Sequence, residues 1–245
     1  VLDHLNTDDF EDIMMKLQNG YEKNGKTFMD DNTSRARKLA SIRALYKYLL
    51  GKNLIKNNPA AAFPSPKITV QPITFLSDDE IVLLLDVITT GTGLTQRQQV
   101  FSDRNRTRDM AMIYLMLSTG MRISECIGID INDINWEENS VYLERKGRKF
   151  QNVYFDEKCA KLLSAYMDER EDMDLEEPTT ALFISRNGTR ITPRSVQRMV
   201  KKYASVAVKN KHITPHKLRS TYATGVYEST GDIYLVKDAL NHKSI

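Results

Sequence analysis

Apolar side chains recur at helical spacing in several stretches of the chain, and these stretches predict its helices. In residues 34–50 one stripe carries the apolar side chains, and most of the cationic ones lie off it. The stripe consists of Leu39, Ile42, Leu45, Tyr46 and Leu49. Residues 7–17 form a second amphipathic run behind a polar start that can cap a helix. Residues 1–57 are therefore expected to be helical.

Closely spaced prolines end this pattern and predict a domain boundary. Pro59 is followed by Pro64, Pro66 and Pro72, and such a segment has low helical potential. We assign residues 1–65 to an all-α N-terminal domain, residues 66–73 to a proline-containing linker and residues 74–245 to a second domain.

The second domain is predicted to combine helices with a small sheet. Helical signals cover residues 78–87, 107–127 and 192–204, one segment that begins at Pro215 and one that follows Gly231-Asp232. Residues 91–100 are polar and are expected to form a loop. Two strands are expected at residues 140–144 and 151–155, joined by a turn around Gly147. The predicted fold class is mainly α with a small antiparallel β-sheet in the C-terminal domain.

Composition places few limits on function, whereas the distribution of charge suggests an anionic partner. Hydrophobic residues make up 41% of the chain, charged residues 27%, and the net charge is +3. No apolar run approaches the ~18–20 residues of a membrane span. Residues 32–77 and 187–227 contain no Asp or Glu, which fits either a surface for a polyanion or a pair of solvated basic faces. Cys126 and Cys159 are in no metal-ligand spacing and are expected to be reduced, buried thiols.

The second domain also carries cationic and protonatable residues that suit a reacting phosphate. They are Arg122 with Glu125 in Ser-Thr-Gly-Met-Arg-Ile-Ser-Glu, Lys146 in Arg-Lys-Gly-Arg-Lys, His216 and Arg219 in His-Lys-Leu-Arg, and His242 in Leu-Asn-His. Gathered around one phosphate, such groups stabilise the extra negative charge that develops as it reacts. Taken singly, each residue has a structural alternative. Arg122 could form an ion pair on a helix, Lys146 could lie in a solvated turn, and the two histidines could have structural roles.

Together these segments resemble the tyrosine recombinase (phage integrase) family. The resemblance covers residues 74–245 well, and it extends more loosely to the N-terminal domain, which is similar to the family's core-binding, DNA-binding domain. It implies that Arg122, Lys146, His216, Arg219 and His242 are catalytic and that Glu125 supports Arg122. Ser220 stands where the family usually has a second histidine.

The resemblance implies a site-specific recombinase or integrase of a mobile element or prophage, which cuts and rejoins DNA through a 3′-phosphotyrosine without a cofactor or metal. In the family the nucleophilic tyrosine follows the last histidine, and we expect it beyond Ile245. The catalytic domain would then lack its C-terminal end, and the chain by itself would bind DNA without cutting it. Tyr222, Tyr227 and Tyr234 precede His242 and are interpreted as helix-packing residues.

The expected partner is double-stranded DNA, gripped between the two domains. Predicted DNA contacts are Arg35, Arg37, Lys38 and Arg43 in the first domain and Arg194, Arg198, Lys201 and Lys202 in the second. The resemblance further implies a homotetramer on synapsed DNA, accessory DNA-bending or excisionase proteins, and a cytoplasmic, nucleoid-associated protein of bacterial or phage origin. Two alternatives stay open: a type IB topoisomerase-like enzyme, and an inactive DNA-binding regulator.

Overall fold

The computed structural model describes residues 6–69, 72–145, 149–173 and 177–240. It divides into two compact units, Val1–Pro72 and Ile73–Ile245, and each has a hydrophobic core of its own. In the part of the chain described, no helix is both long and apolar enough to cross a membrane.

The first unit is built from helices and one short hairpin. Its elements are α1 (Thr7–Asn19), β1 (Tyr21–Lys23), β2 (Lys26–Phe28), α2 (Asn32–Gly51) and α3 (Pro59–Ala62). Phe10 of α1 meets Tyr46 of α2 edge to face, with ring centroids 5.7 Å apart. The predicted stripe on α2 is only partly buried, because Leu45 is 47% exposed.

The expectation of helices alone in this unit missed the hairpin. Asn24 and Gly25 both have positive φ (52° and 68°), the conformation that two-residue hairpin turns prefer. Each strand is three residues long and mostly exposed, so neither shows the apolar alternation from which a strand is predicted.

The second unit is mainly helical around a three-stranded sheet. Its helices are α4 (Asp78–Thr90), α5 (Gln96–Asp103), α6 (Arg106–Thr119), α7 (Ile123–Gly128), α8 (Glu157–Glu171), α9 (Pro193–Ala207), α10 (Pro215–Thr230) and α11 (Ile233–Leu240). Its strands are β3 (Ile134–Asn135), β4 (Ser140–Arg145) and β5 (Lys149–Tyr154), in the order β3-β4-β5. The mainly α fold class with a small antiparallel sheet is confirmed.

The sheet presents one face to the core and the other to solvent. Val141 pairs with Val153, and both side chains are buried together with Leu143. The alternate positions of β4 and β5 point the other way. Trp136, the only tryptophan of the chain, follows β3 and is 42% exposed.

Two predictions about helices in this unit were wrong, and one helix was missed. Residues 107–127 are not one helix, because α6 ends at a left-handed Gly120 (φ 60°) and α7 begins after Arg122. Residues 91–100 are not all loop, because Thr95 and Gln98 form a capping box that starts α5. Helix α8 was not predicted, although Asp156 caps its start.

Both thiols lie in this core, as expected. Cys126 and Cys159 are free and buried. Burial raises the pKa of Cys159 to about 12 and raises that of Cys126 as well, so both side chains are protonated at neutral pH.

Candidate active site

Arg122 lies at the start of α7, directly after the turn at Gly120. Its Nη1 donates to Oε1 of Glu125 at 2.7 Å, and its backbone N–H donates to Oε2 of the same carboxylate at 2.6 Å. Glu125 is largely buried (8% exposed), whereas the Arg122 side chain keeps 39% exposure. One carboxylate thus fixes both the helix start and the direction of a guanidinium that remains accessible.

Arg219 of α10 is buried between the end of α6 and helix α11. Its Nη1 donates to the carbonyl oxygen of Gly120 at 2.5 Å, and its Nη2 donates to that of Leu240 at 2.6 Å. Gly120 caps α6, so the C-terminus of that helix directs its partial negative charge at the guanidinium, and the Leu240 carbonyl of α11 adds a second acceptor. These contacts stabilise a cation that is only 4% exposed.

The two carbonyl contacts also bring the predicted segments together. Gly120 precedes Arg122 by two residues, and Leu240 precedes His242 by two residues. Arg219 therefore joins the segment that carries Arg122 to the end of the helix that leads into His242.

His216 lies in the first turn of α10, after Pro215, and is exposed. It lines a cavity of about 360 Å³ together with Arg219, between α10 and α11. Ser220, which replaces the second histidine of the family pattern, donates its hydroxyl to the carbonyl oxygen of His216 at 3.2 Å. Its hydroxyl therefore bonds within α10.

Two predicted catalytic residues, Lys146 and His242, lie outside the described residues, as does the turn residue Gly147. The strands on either side of that turn are present, with Arg145 paired to Lys149.

Of the three tyrosines interpreted as packing residues, one packs against the site and two are exposed. The Tyr222 ring lies against Gly120. Tyr227 and Tyr234 are 50% and 64% exposed, so their interpretation as packing residues was wrong.

Arg190 is a supporting residue that sequence reasoning missed, since it was counted only as part of a basic stretch. Its Nη1 donates to the carbonyl oxygens of Ile127 and Ile129 at 2.8 and 3.0 Å, and its Nη2 pairs with Asp130. This hydrogen bond lowers the pKa of the Asp130 carboxyl. Arg190 thereby holds the end of α7, the helix on which Glu125 lies.

In the first unit, three of the basic residues predicted to contact DNA bond to other groups of the protein, and the fourth is exposed. Arg35 donates to the side chains of Gln18 and Asn32, and Lys38 pairs with Asp30 at 2.5 Å. Arg43 donates to the carbonyl oxygens of Ala60 and Phe63 and to the Ser65 hydroxyl, which fastens α2 to the segment after it. Arg37 is exposed on α2.

The same division occurs on α9. Arg194, Arg198 and Lys201 are exposed along one side of the helix. Lys202 instead lies 3.5 Å from Asp109 and over the ring of Tyr203, and desolvation lowers its pKa. The exposed residues form a continuous basic stripe, whereas Lys202 belongs to an internal network.

That network joins the start of α6 to α9. Asp109, only 1% exposed, accepts hydrogen bonds from Arg108 and from the Tyr203 hydroxyl at 2.6 and 2.8 Å. Since α6 ends at Gly120, these contacts help to fix the helix that leads to Arg122.

Comparison with known proteins gives one family and consistent relatives. A model described as the phage integrase family matches residues 74–245. The chain is 29% identical over 223 residues to tyrosine recombinase XerC of Alcanivorax borkumensis, covering 91% of this chain and 67% of that protein. It is 30% identical over 212 residues to XerC of Escherichia coli, covering 86% and 66%. The chain thus spans about two thirds of the length of these relatives.

Solved structures share the fold. The crystal structure of XerA recombinase is 25% identical, with a TM-score of 0.60 over 99% of this chain and 76% of that one. XerH recombinase in a post-cleavage complex with a palindromic difH substrate gives a TM-score of 0.76 at 19% identity, over 99% and 67%. A lambda integrase dimer bound to a core site gives 0.70 at 16% identity, over 99% and 81%.

Proposed function

The chain belongs to the phage integrase family of tyrosine recombinases, and from that premise we propose that it is the DNA-binding and catalytic part of a site-specific recombinase. It would cut and rejoin double-stranded DNA through a 3′-phosphotyrosine intermediate. The observation that carries the proposal is the position of Arg219, which is buried against the carbonyl of Gly120, two residues before Arg122. Two guanidinium-bearing segments of the family pattern therefore meet in the fold.

In the proposed reaction, the chain supplies fixed positive charge around one phosphate. Arg122 and Arg219 would hold non-bridging oxygens, since a guanidinium fits phosphate better than an ammonium group does. Glu125 would keep Arg122 in position. His242 would hydrogen-bond a phosphate oxygen. Such charges stabilise the transition state of phosphoryl transfer in the way that bound cations do in other enzymes.

The covalent step exchanges one phosphodiester bond for another. A tyrosine hydroxyl, expected beyond Ile245 from the family pattern, would attack phosphorus with His216 taking part in its proton transfer. The bond from phosphorus to the 5′ oxygen breaks, and Lys146 would protonate that oxygen. Because the phosphotyrosine conserves the bond, the reverse attack by a 5′-hydroxyl rejoins the DNA.

We propose that residues 1–65 bind the DNA, that residues 66–73 link them to the catalytic domain, and that four copies act on synapsed DNA, with accessory proteins, in the nucleoid. The XerC and XerA relatives, both recombinases by name, support this function over a type IB topoisomerase.

The test is covalent capture of DNA by the full-length protein. With a nicked suicide substrate we expect an adduct that survives a denaturing gel. Arg122→Gln should slow its formation by about 10²-fold or more, the usual cost of losing one transition-state donor. Its affinity for DNA should stay within about threefold, because phosphate contacts are spread over many residues.

Arg97→Gln, an exposed arginine on α5, is the matched control and should behave as wild type. If Arg122→Gln lost binding and cleavage in parallel, Arg122 would be a binding residue. Native binding with no adduct from the unmodified full-length protein would favour the inactive regulator. Relaxation of supercoils without recombination would favour the topoisomerase.

A further inference from the structure

Three aromatic side chains cover the outer face of the β4–β5 hairpin. Tyr142, Phe150 and Tyr154 are 49%, 56% and 63% exposed. The rings of Tyr142 and Phe150 stack nearly parallel, with centroids 5.2 Å apart and planes 4° apart. Because Tyr142 pairs with Asn152, Phe150 and Tyr154 are its diagonal neighbours on the same face.

The protein core does not account for this aromatic face. The inner face of the hairpin already buries Val141, Leu143 and Val153. Single exposed apolar residues are common on protein surfaces, whereas a group of large ones on one face marks a binding surface.

The charge of the same hairpin indicates what binds there. Its turn segment, residues 145–149, reads Arg-Lys-Gly-Arg-Lys, and Glu144 is the only acid in residues 140–154. Cationic groups beside stacked aromatic rings are the usual means of holding unpaired nucleic acid, because bases stack on the rings while the phosphates meet the charges. An apolar protein partner would need no such charge.

The aromatic face also begins close to the proposed chemistry. Phe150 follows Lys146 by four residues, which limits their separation along the chain to about 14 Å. At 3.4 Å per base step of one strand, this upper limit corresponds to roughly four steps.

We propose that the outer face of the β4–β5 hairpin stacks the unpaired bases at the 5′-hydroxyl end that cleavage releases. The first few nucleotides would rest on Tyr142, Phe150 and Tyr154 after leaving one duplex and before joining another. This placement rests on the proposed function, in which Lys146 protonates the 5′ oxygen. Stacking on the face does not itself require cleavage.

The experiment compares two DNA probes with the full-length protein in gel-shift titrations. One probe is a fully paired duplex, and the other has the same sequence on one strand with a four-base mismatched bubble. We expect tighter binding of the bubble. Replacing Tyr142 and Phe150 together by Leu should weaken bubble binding by about tenfold, the range for lost stacking partners. The affinity for the paired duplex should change less than about twofold, since its phosphate contacts remain.

Further variants separate stacking from other causes. Phe150→Trp keeps an aromatic surface and should retain the preference for the bubble. Phe101→Leu removes a comparably exposed aromatic (47%) from α5 and should change neither affinity. Thermal melting checks that each variant folds.

Equal binding of both probes by the wild type would overturn the proposal, and so would full bubble binding by the Leu variant. Loss of self-association in the Leu variant, with bubble binding unchanged, would assign the face to protein contacts. Absence of the covalent adduct would sink the proposed function, whereas a bubble preference lost on Leu substitution would still establish a base-stacking face.

Discussion

Gly120 forms the joint between α6 and the segment that carries Arg122. Its φ of 60° lies in the left-handed region, which costs an L-residue roughly 1–2 kcal/mol. A Cβ added there would lie 2.2 Å from Cδ1 of Tyr222. The carbonyl oxygen of the same residue accepts the hydrogen bond from Arg219. One residue thus combines a left-handed backbone conformation, a close ring contact and a hydrogen bond to a buried guanidinium.

Gly120→Ala is therefore expected to be more destabilising than an ordinary loop substitution. Overpacking against Tyr222 should add about 1–3 kcal/mol to the backbone cost. Gly231→Ala is the matched control, because Gly231 has a similar φ of 67° but nothing within 4 Å of an added Cβ. Denaturant unfolding measures both variants. When Tyr222 is also replaced by Ala, the destabilisation caused by Gly120→Ala should fall by the contribution of overpacking, and the backbone cost should remain. Equal destabilisation at both glycines would show that the ring contact is unimportant.

At the residue scale, the sequence predicted a group of candidate site residues but not the local structure around them. The order and spacing of Arg122, His216 and Arg219 were sufficient to predict them as a group. The break at Gly120 was not evident, because an isolated glycine is tolerated within a helical pattern. Nor could the sequence show that Arg43 bonds to backbone carbonyls, since folding brings those acceptors from distant positions.

At the scale of an element, α9 separates two kinds of basic residue. Lys201 is exposed, and the adjacent Lys202 pairs with the buried Asp109. We expect Lys201→Ala to reduce the slope of log affinity against log salt for DNA by about 0.9, the value for one lost phosphate contact. Its stability should be unchanged.

Lys202→Ala should lower the stability of the protein and leave the salt dependence of its DNA affinity unchanged. Removing a partner of a buried carboxylate costs about 1–3 kcal/mol of unfolding free energy, while the salt slope should stay near that of the wild type. Lys161→Ala on α8, an exposed residue in an i,i+4 pair with Glu157, serves as the surface control. If Lys201 and Lys202 changed the salt slope equally, the internal role of Lys202 would be contradicted.

Helices with a proline at their start and strands with alternating apolar positions were predicted well from the sequence. Pro193 and Pro215 each begin a helix, and the alternating strands β4 and β5 were found close to their observed positions. The β1–β2 hairpin and α5 were missed because each is short and polar, so burial gives them no period to detect.

At the scale of the whole molecule, the chain consists of two units with separate cores. The proline pattern predicted a linker at residues 66–73, and the structure divides between Pro72 and Ile73. The mainly α fold class followed from helical periodicity over much of the chain. The sequence did not show which basic side chains bond inside the protein and which lie on the surface, because that depends on contacts between residues that are distant in the chain.

Limited proteolysis tests this division. Lys67 is exposed, and no other Lys or Arg occurs between Lys56 and Arg97. Trypsin should cut early after Lys67 and leave a fragment beginning at Ile68 that keeps a cooperative thermal transition, because the second unit has its own core. Lys67→Gln should remove that early cut. Initial cleavage within α9, or a fragment without a melting transition, would contradict two self-sufficient units.

The exposed Trp136 has a practical consequence. As the only tryptophan among 245 residues, it is a built-in optical reporter at a single known position, next to the three-stranded sheet. Its emission can be excited apart from that of the eleven tyrosines. Binding of a ligand close to Trp136 can therefore be followed in real time, without a dye, through the emission wavelength and intensity of that one indole.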